Sequence, residues 1–220
     1  MEFSKTTRRW FMALAGLLTV GFLTLFWGVW NNAPFIKSID AVGYDTVFVG
    51  SSAARTHLAE FISLFGNFIV LAIVVLGIAA WLWRHNDHHL AQWFAGTFFL
   101  VGGVGTLSVK YLVQRPRPAY HLVNEIGFSF PSGHAMLSST FFWLLAGLMM
   151  VYMMRSGHLT GLKTSLVLLI SFALIVAVCW SRVALGVHYL SDVTAGFCLG
   201  TTGILVSASF GHLWWNRRGN

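Results

Sequence analysis

Long apolar runs alternate with short polar stretches along the whole chain. Six of these runs contain no charged residue (Asp, Glu, Lys or Arg), and they cover residues 10–30, 61–83, 90–109, 135–154, 164–181 and 193–211. Each run has about 18 residues or more, which lets a helix cross ~30 Å of hydrocarbon. The pattern predicts an all-α protein, a bundle of six transmembrane helices forming one domain over 1–220, with the last span extended to 189–211.

The first run has an alternative interpretation, because Lys5, Arg8 and Arg9 precede it as basic residues precede the core of a signal peptide. The run covers residues 10–30, however, and the core of a signal peptide usually has only ~7–15 residues. No clear small-x-small cleavage site follows it. We therefore expect a membrane span here rather than a cleaved leader.

Composition supports the membrane assignment, since 56% of the residues are hydrophobic and only 10% are charged. Soluble globular chains do not have this balance. The net charge of +7 could suggest a nucleic-acid partner, but the basic residues are scattered at the ends of the apolar runs. Membrane orientation and anionic lipid headgroups explain them better, and we predict no nucleic-acid binding.

The basic residues also predict the orientation of the bundle, because six spans place both termini on one side. An inner N-terminus puts eight of the fourteen basic residues inside: Lys5, Arg8, Arg9, Arg84, Arg155, Lys163, Arg217 and Arg218. Four of the six outer ones lie in the polar clusters described below, which leaves eight against two. This excess predicts cytoplasmic termini, with the loops 31–60 and 110–134 outside and the first of them irregular at the membrane interface.

Three polar clusters share the predicted outer side: KYLVQRPRP at 110–118, FPSGH at 130–134 and SRVALGVHYLSD at 181–192. They contribute three cations, Lys110, Arg117 and Arg182. Three fixed cations match an anion with several oxygens, and guanidinium forks suit phosphate oxygens in particular. The clusters therefore indicate a phosphate site at the extracytoplasmic end of the bundle.

The FPSGH cluster directly precedes an apolar run, so Ser132, Gly133 and His134 should form the first turn of a helix. Unpaired amides and the positive end of the helix dipole bind anions there. Gly133 lets the backbone approach closely, and the hydroxyl of Ser132 adds a donor. This segment is predicted to form half of a phosphate cradle.

In the third cluster, His188 and Asp192 are four residues apart, which places them on one face of a helix. A carboxylate on one imidazole nitrogen fixes the tautomer, leaves the other nitrogen free to attack, and stabilises positive charge on the ring. His188 is therefore the candidate nucleophile. His134 is then the candidate general acid, which would protonate the oxygen of the leaving group.

In order and spacing the clusters resemble the signature of the type-2 phosphatidic acid phosphatase superfamily, which also includes vanadium haloperoxidases and bacterial acid phosphatases. The pattern is K-x6-R-P, P-S-G-H and S-R-x5-H-x3-D, and every position is present between Lys110 and Asp192. The resemblance implies a phosphohistidine on His188, protonation of the leaving group by His134, orientation of His188 by Asp192, and no metal or other cofactor. It also implies which residues hold the phosphoryl oxygens: Lys110, Arg117, Ser132, Gly133 and Arg182.

Bacterial integral membrane members of this size resemble undecaprenyl pyrophosphate phosphatases and phosphatidylglycerophosphate phosphatases. The expected activity is therefore removal of the terminal phosphate from phosphatidylglycerophosphate, phosphatidate or undecaprenyl pyrophosphate, with the lipid entering from the bilayer. The alternative is a transporter or scaffold that binds phospholipid in the same cradle without catalysis. Vanadate-dependent oxidation is disfavoured, because haloperoxidases of this kind are soluble. The oligomeric state stays open.

Other polar residues in these regions have simpler interpretations. Arg115 is expected to be a surface or lipid-phosphate contact. His121, Asn124 and Glu125 are expected to be solvated loop residues. The HNDHH stretch at 85–89 offers possible metal ligands, but it falls on the predicted cytoplasmic side and is expected to be a solvated, titrating turn.

Overall fold

The computed structural model describes residues 4–48 and 52–210. They form nine α-helices: α1 (Lys5–Trp30), α2 (Pro34–Gly43), α3 (Ala53–Ser63), α4 (Phe68–Arg84), α5 (His88–Thr97), α6 (Thr106–Val113), α7 (Gly133–Arg155), α8 (Gly161–Ala184) and α9 (Leu190–Phe210). Two π-helical segments, Tyr44–Phe48 and Phe98–Gly105, follow α2 and α5, and a 3₁₀ turn, Leu64–Gly66, joins α3 to α4. These residues include no strand, and the all-α prediction is confirmed.

Five helical stretches are long and apolar enough to cross a membrane: Lys5–Trp30, His88–Val113, Gly133–Arg155, Gly161–Ala184 and Leu190–Phe210. A sixth consists of Ala53–Gly66 and Phe68–Arg84, which meet at a bend of 42°. The side chain of Asn67 lies at this bend and accepts hydrogen bonds from the amides of Ile69 at 2.9 Å and Val70 at 3.2 Å. Asn67 therefore caps α4 and separates it from the preceding helix.

Helix α7 is the most enclosed of the candidate spans. Of the 18 residues in its most apolar stretch 61% are buried, whereas the corresponding share for α8 is 17%. Its inner side chains pack with α4, α5, the second π-helical segment, α8 and α9 in the main hydrophobic core, where Phe94, Phe98, Leu144 and Ile175 are fully buried. The N-terminus of α7, with the FPSGH cluster, is consequently held on a rigid element.

Helix α9 crosses α7 so closely that glycine is required at the contact. A Cβ atom on Gly196 would lie 2.6 Å from the carbonyl oxygen of Ser132, and one on Gly200 would lie 2.8 Å from that of Met136. The backbone amide of Ser132 donates to the carbonyl oxygen of Asp192 at 3.0 Å. The close packing thus joins the second polar cluster directly to the third.

The prediction of an irregular segment over 31–60 is wrong for its described residues, which include α2 and most of α3. Pro34 stands in the first turn of α2, where its fixed φ favours a helix and its missing N–H costs nothing. Ser52 caps α3 by accepting from the amide of Arg55 at 3.3 Å. Residues 49–51 of this segment lie outside the described residues, as do Arg217 and Arg218 at the predicted inner terminus.

Candidate active site

The three polar clusters meet at one end of the bundle. The first covers the last turn of α6 and the loop after it, and the second covers the start of α7. The third runs from the last turn of α8 through the connecting loop to the first turn of α9. A cavity of about 350 Å³ opens between them, and five of the eight predicted site residues line it: Lys110, Arg117, Gly133, His134 and His188. The other three, Ser132, Arg182 and Asp192, are buried in the adjacent layer.

Ser132 occupies the N-cap of α7, and its hydroxyl accepts from the amide of Ala135 at 3.4 Å. Gly133 and His134 form the first turn, as predicted. Ser132, which was expected in that turn as a donor, instead precedes it and accepts a hydrogen bond. A Cβ atom on Gly133 would come within 3.7 Å of Cε of Lys110 and 3.3 Å of Cγ2 of Thr106. The glycine therefore lets the N-terminus of α7 pack closely against Thr106 and Lys110 of α6.

The loop between α6 and α7 folds back and directs two cations into the cavity. Lys110 donates from Nζ to the carbonyl oxygen of Phe128. Arg117 donates to three carbonyl oxygens, those of Gly127 at 3.0 Å, Ile126 at 3.0 Å and Val187 at 2.9 Å. The sequence predicts the charges of these side chains, but their direction is set by backbone carbonyl groups that no pattern identifies.

His188 lies in the loop between α8 and α9 and is buried, with its two ring nitrogens in different environments. Nδ1 faces Oδ2 of Asp192 at 3.4 Å, and Nη1 of Arg117 lies 3.2 Å from Nε2. Burial and then the nearby charges of Arg182, Lys110 and Arg117 hold the pKa of His188 well below its usual value. The ring is therefore neutral, and with its proton on Nδ1 it presents the lone pair of Nε2 to the cavity.

The predicted helical relation between His188 and Asp192 needs a correction, because α9 begins only at Leu190. His188 precedes the helix, and Asp192 stands in its first turn. The carboxylate of Asp192 accepts from the amide of Tyr189 at 3.0 Å, which caps the helix and turns Oδ2 toward His188. The two side chains still meet, across the start of the helix rather than along its face.

Arg182 and Glu125 form an ion pair inside the site. Arg182 is only 2% exposed, and Nη2 donates to Oε1 of Glu125. Oε2 of Glu125 lies 3.6 Å from Nη2 of Arg117, so one carboxylate touches two of the predicted phosphate-binding cations. Nε of Arg182 is buried and has no hydrogen-bond partner in the described part of the chain.

The prediction that Glu125 is a solvated loop residue is therefore wrong. Its side chain is drawn inward because the buried guanidinium of Arg182 needs a counter-charge. His121 and Asn124, from the same loop, are exposed as expected. The carboxylate of Glu125 is thus the counter-charge for both Arg117 and Arg182.

Arg115 is also not the surface contact that the sequence predicted. Its side chain is 14% exposed, and its guanidinium bridges two carboxylates. Nη1 donates to Oδ1 of Asp192 at 2.6 Å and to the hydroxyl of Ser191 at 2.8 Å. Nη2 donates to Oδ2 of Asp40 at 2.5 Å, and the guanidinium carbon lies 3.9 Å from the ring centre of Tyr189.

Asp40 was missed by sequence reasoning. It lies on the buried face of α2 with Ile36 and Gly43, and its Oδ1 accepts from the amide of Ser191 at 3.0 Å. The signal that could have found it is the spacing of Ile36, Asp40 and Gly43, which puts a carboxylate on the apolar face of an amphipathic helix. A charge on such a face requires a buried partner, which here is Arg115.

The turn at 85–89 lies at the opposite end of the bundle, and the prediction of a solvated turn is wrong for Asp87. This side chain is 7% exposed and accepts from Tyr152 at 2.8 Å and Arg155 at 2.7 Å. His85 is exposed. The described residues contain no group of three or more His, Cys, Asp or Glu side chains arranged for a metal ion.

Comparison with known proteins gives consistent matches. The model of the PAP2 superfamily matches residues 90–216. Phosphatidylglycerophosphatase B of Bacillus subtilis is 33% identical over 149 residues, which is 66% of either chain and thus just under two thirds of that relative. Decaprenylphosphoryl-5-phosphoribose phosphatase of Mycobacterium tuberculosis is 34% identical over 151 residues, covering 66% of this chain and 73% of that protein.

Two solved structures share the fold. The crystal structure of the transmembrane PAP2 type phosphatidylglycerolphosphate phosphatase from Bacillus subtilis superimposes with a TM-score of 0.77 at 23% identity, over 94% of this chain and 98% of that one. Aquifex aeolicus LpxE superimposes with a TM-score of 0.56 at 18% identity, over 75% of this chain and 92% of that one.

Proposed function

The chain belongs to the PAP2 superfamily, as its signature indicated, and we propose that it is a membrane phosphatase that removes the terminal phosphate of a lipid. The proposed substrates are phosphatidylglycerophosphate, phosphatidate and undecaprenyl pyrophosphate. The observation that carries the proposal is a buried His188 whose Nε2 lies 3.2 Å from Nη1 of Arg117, in the wall of a cavity that Lys110 and Arg117 also line. A nucleophile beside fixed cations is the arrangement that phosphoryl transfer requires.

In the proposed reaction, the lone pair on Nε2 of His188 forms a bond to phosphorus while the bond from phosphorus to the leaving oxygen breaks. His134, in the wall of the same cavity, gives its proton to that oxygen. The positive charge that develops on the imidazole of His188 is stabilised by Asp192. Water then attacks phosphorus while His134 takes a proton of the water. The bond between phosphorus and Nε2 of His188 breaks, which frees inorganic phosphate and restores the neutral imidazole.

The proposed cradle holds the phosphoryl oxygens with cations from three directions, Lys110, Arg117 and Arg182. Ser132 and Gly133 add the N-terminus of α7. An incoming phosphate would replace the carboxylate of Glu125 on the two arginines and would also have the unpaired N–H of Arg182 available. We propose that these fixed positive charges stabilise the transferring group without a metal ion or other cofactor.

A lipid substrate is supported by the position of the cavity at the end of the bundle. Leu107 and Tyr111 of α6 form part of its wall, and both are largely exposed on the outer surface of the helices. A lipid could therefore keep its tail in the bilayer while its headgroup enters from the side. With both termini cytoplasmic, as the distribution of basic residues favours, the cavity would face the outside of the cell membrane.

We expect the detergent-solubilised protein to release inorganic phosphate from all three lipids, with kcat/KM values within about a hundredfold of one another, because the cradle contacts phosphoryl oxygens common to all of them. Release should persist in EDTA and should be inhibited by vanadate, which mimics the five-coordinate phosphoryl group. The assay measures phosphate from each lipid under identical detergent conditions.

The outcomes of this assay separate the alternatives. A preference of more than a hundredfold for one lipid would contradict the broad specificity while leaving the phosphatase intact. Binding of the lipids with no release of phosphate would instead favour the transporter or scaffold. Loss of activity in EDTA that returns with a divalent cation would contradict the metal-independent reaction.

A further inference from the structure

A chain of buried charges connects α2 to the proposed nucleophile. It runs from Asp40 through Arg115 to Asp192 and ends at His188. The distances are 2.5 Å between Asp40 and Arg115, 2.6 Å between Arg115 and Asp192, and 3.4 Å between Asp192 and His188. The first two members lie outside the family signature.

Each side chain in this series of ion pairs makes hydrogen bonds to specific partners. The guanidinium of Arg115 gives one nitrogen to each carboxylate, a geometry that lysine cannot reproduce. With Oδ1 of Asp192 held by Arg115, the other oxygen is left for His188 and the amide of Tyr189. Asp40 in turn holds both Arg115 and the amide of Ser191, at the entrance to α9.

We propose that Arg115 and Asp40 are positioning residues for the reaction: Arg115 fixes the carboxylate of Asp192 so that it orients His188, and Asp40 fixes Arg115. The proposal rests on the proposed function, since it assigns roles within the same phosphatase site. It makes α2 a part of the catalytic arrangement, although no residue of α2 lines the cavity of about 350 Å³.

The two neighbouring carboxylates keep Arg115 positively charged. Burial alone would lower the pKa of Arg115, but the adjacent Asp192 and Asp40 carboxylates raise it. The guanidinium therefore stays protonated throughout the pH range of an assay. Its removal would leave two carboxylates sharing one buried site without a cation between them, which is unfavourable.

The position of Arg115 distinguishes its role from that of the phosphate cradle. Lys110, Arg117 and Gly133 line the cavity of about 350 Å³, whereas Arg115 lines a separate cavity of about 480 Å³ on the other side of His188. Loss of Arg115 should therefore disturb the orientation of His188 while the phosphate-binding groups stay in place. The effect should fall on kcat and leave binding nearly unchanged.

The test compares Arg115→Gln, Arg115→Lys and Asp40→Asn with the parent protein, in the full-length chain in detergent. We expect kcat to fall about 30- to 100-fold for Arg115→Gln, the scale of loss when a hydrogen-bond partner that orients a metal ligand is removed. The loss should be about tenfold for Arg115→Lys, which keeps the charge but not the fork, and about three- to tenfold for Asp40→Asn, which is one step further from His188. KM for lipid phosphate and Ki for inorganic phosphate should stay within about twofold of the parent values.

The matched control is Arg155→Gln, which removes an arginine that pairs with a buried carboxylate, Asp87, at the far end of the bundle. It should lower stability without changing kcat. Thermal unfolding of each variant, with and without inorganic phosphate, monitors folding. If Arg115→Gln does not fold, the nearly isosteric Asp40→Asn still carries the test, and a folded Asp40→Asn with parental kcat would overturn the proposal.

Two further results would overturn it. Arg115→Gln with kcat within twofold of the parent would show that His188 needs no such support. A rise in the Ki of phosphate in proportion to the loss of kcat would show that Arg115 acts on the cradle instead. If the parent protein releases no phosphate at all, both the proposed function and this inference are wrong. If the parent is active and the variants behave like it, only the roles proposed for Arg115 and Asp40 are wrong.

Discussion

Replacement of His188 by alanine should abolish phosphate release, with kcat reduced by about 10⁴-fold or more, the scale of loss seen when a covalent nucleophile is removed. His188 is buried beneath the cavity with its Nε2 directed at Arg117, and no other imidazole shares this position and a carboxylate partner in the described residues. The measurement is steady-state release of inorganic phosphate from phosphatidylglycerophosphate in detergent.

The control is His158→Ala, which changes an exposed histidine in the turn between α7 and α8. It should leave kcat unchanged. If His188→Ala still bound inorganic phosphate with nearly parental affinity, its loss of turnover would be chemical rather than structural. Equal turnover by His188→Ala and the parent would eliminate the covalent mechanism.

Asp192→Asn should lower kcat by about 10²- to 10⁴-fold, by analogy with the orienting acid of serine-protease triads. An amide cannot supply the negative charge that stabilises the phosphorylated imidazole, and its NH₂ group could favour the wrong tautomer of His188. The substitution also removes one of the two carboxylates that pair with Arg115 among the described residues, and Asp40 is the other. Parallel determination of kcat, KM and phosphate inhibition would locate the loss in the chemical step.

Asp45→Asn provides the comparison for this variant, because Asp45 is an exposed acid near the same end of the bundle. Its kcat should match that of the parent. A nearly parental rate for Asp192→Asn would refute the orienting role, and with it the proposed roles of Arg115 and Asp40.

The spans could be predicted from the sequence because hydrocarbon thickness dictates the length of a charge-free run. The division of the second run at Asn67 was not foreseen, since an isolated asparagine interrupts neither hydrophobicity nor charge. It acts through a local cap, which requires knowledge of the backbone direction. The helix α2 was missed for a related reason. It has only ten residues, too few for the run length that identifies a membrane span, and the favourable place of Pro34 in its first turn is evident only once the helix start is known.

Within the site, the sequence predicted residues whose chemistry follows from type and order, such as His188 with Asp192 and the helix start at Gly133. It could not predict which opposite charge each buried side chain would contact. Arg182 pairs with Glu125, 57 positions away in the chain, and Arg115 pairs with Asp40, 75 positions away. Such partners are chosen by tertiary packing, because buried charges need counter-charges wherever the fold brings them.

The most direct test of the covalent mechanism is a rapid-quench experiment with phosphatidylglycerophosphate labelled at its terminal phosphate. Quenching in alkali preserves a phosphohistidine, and mass spectrometry of the digested protein locates the label. We expect label on His188, appearing at least as fast as turnover and absent from His188→Ala. Label on a different residue, or full turnover with no protein-bound phosphate at any time, would contradict the account.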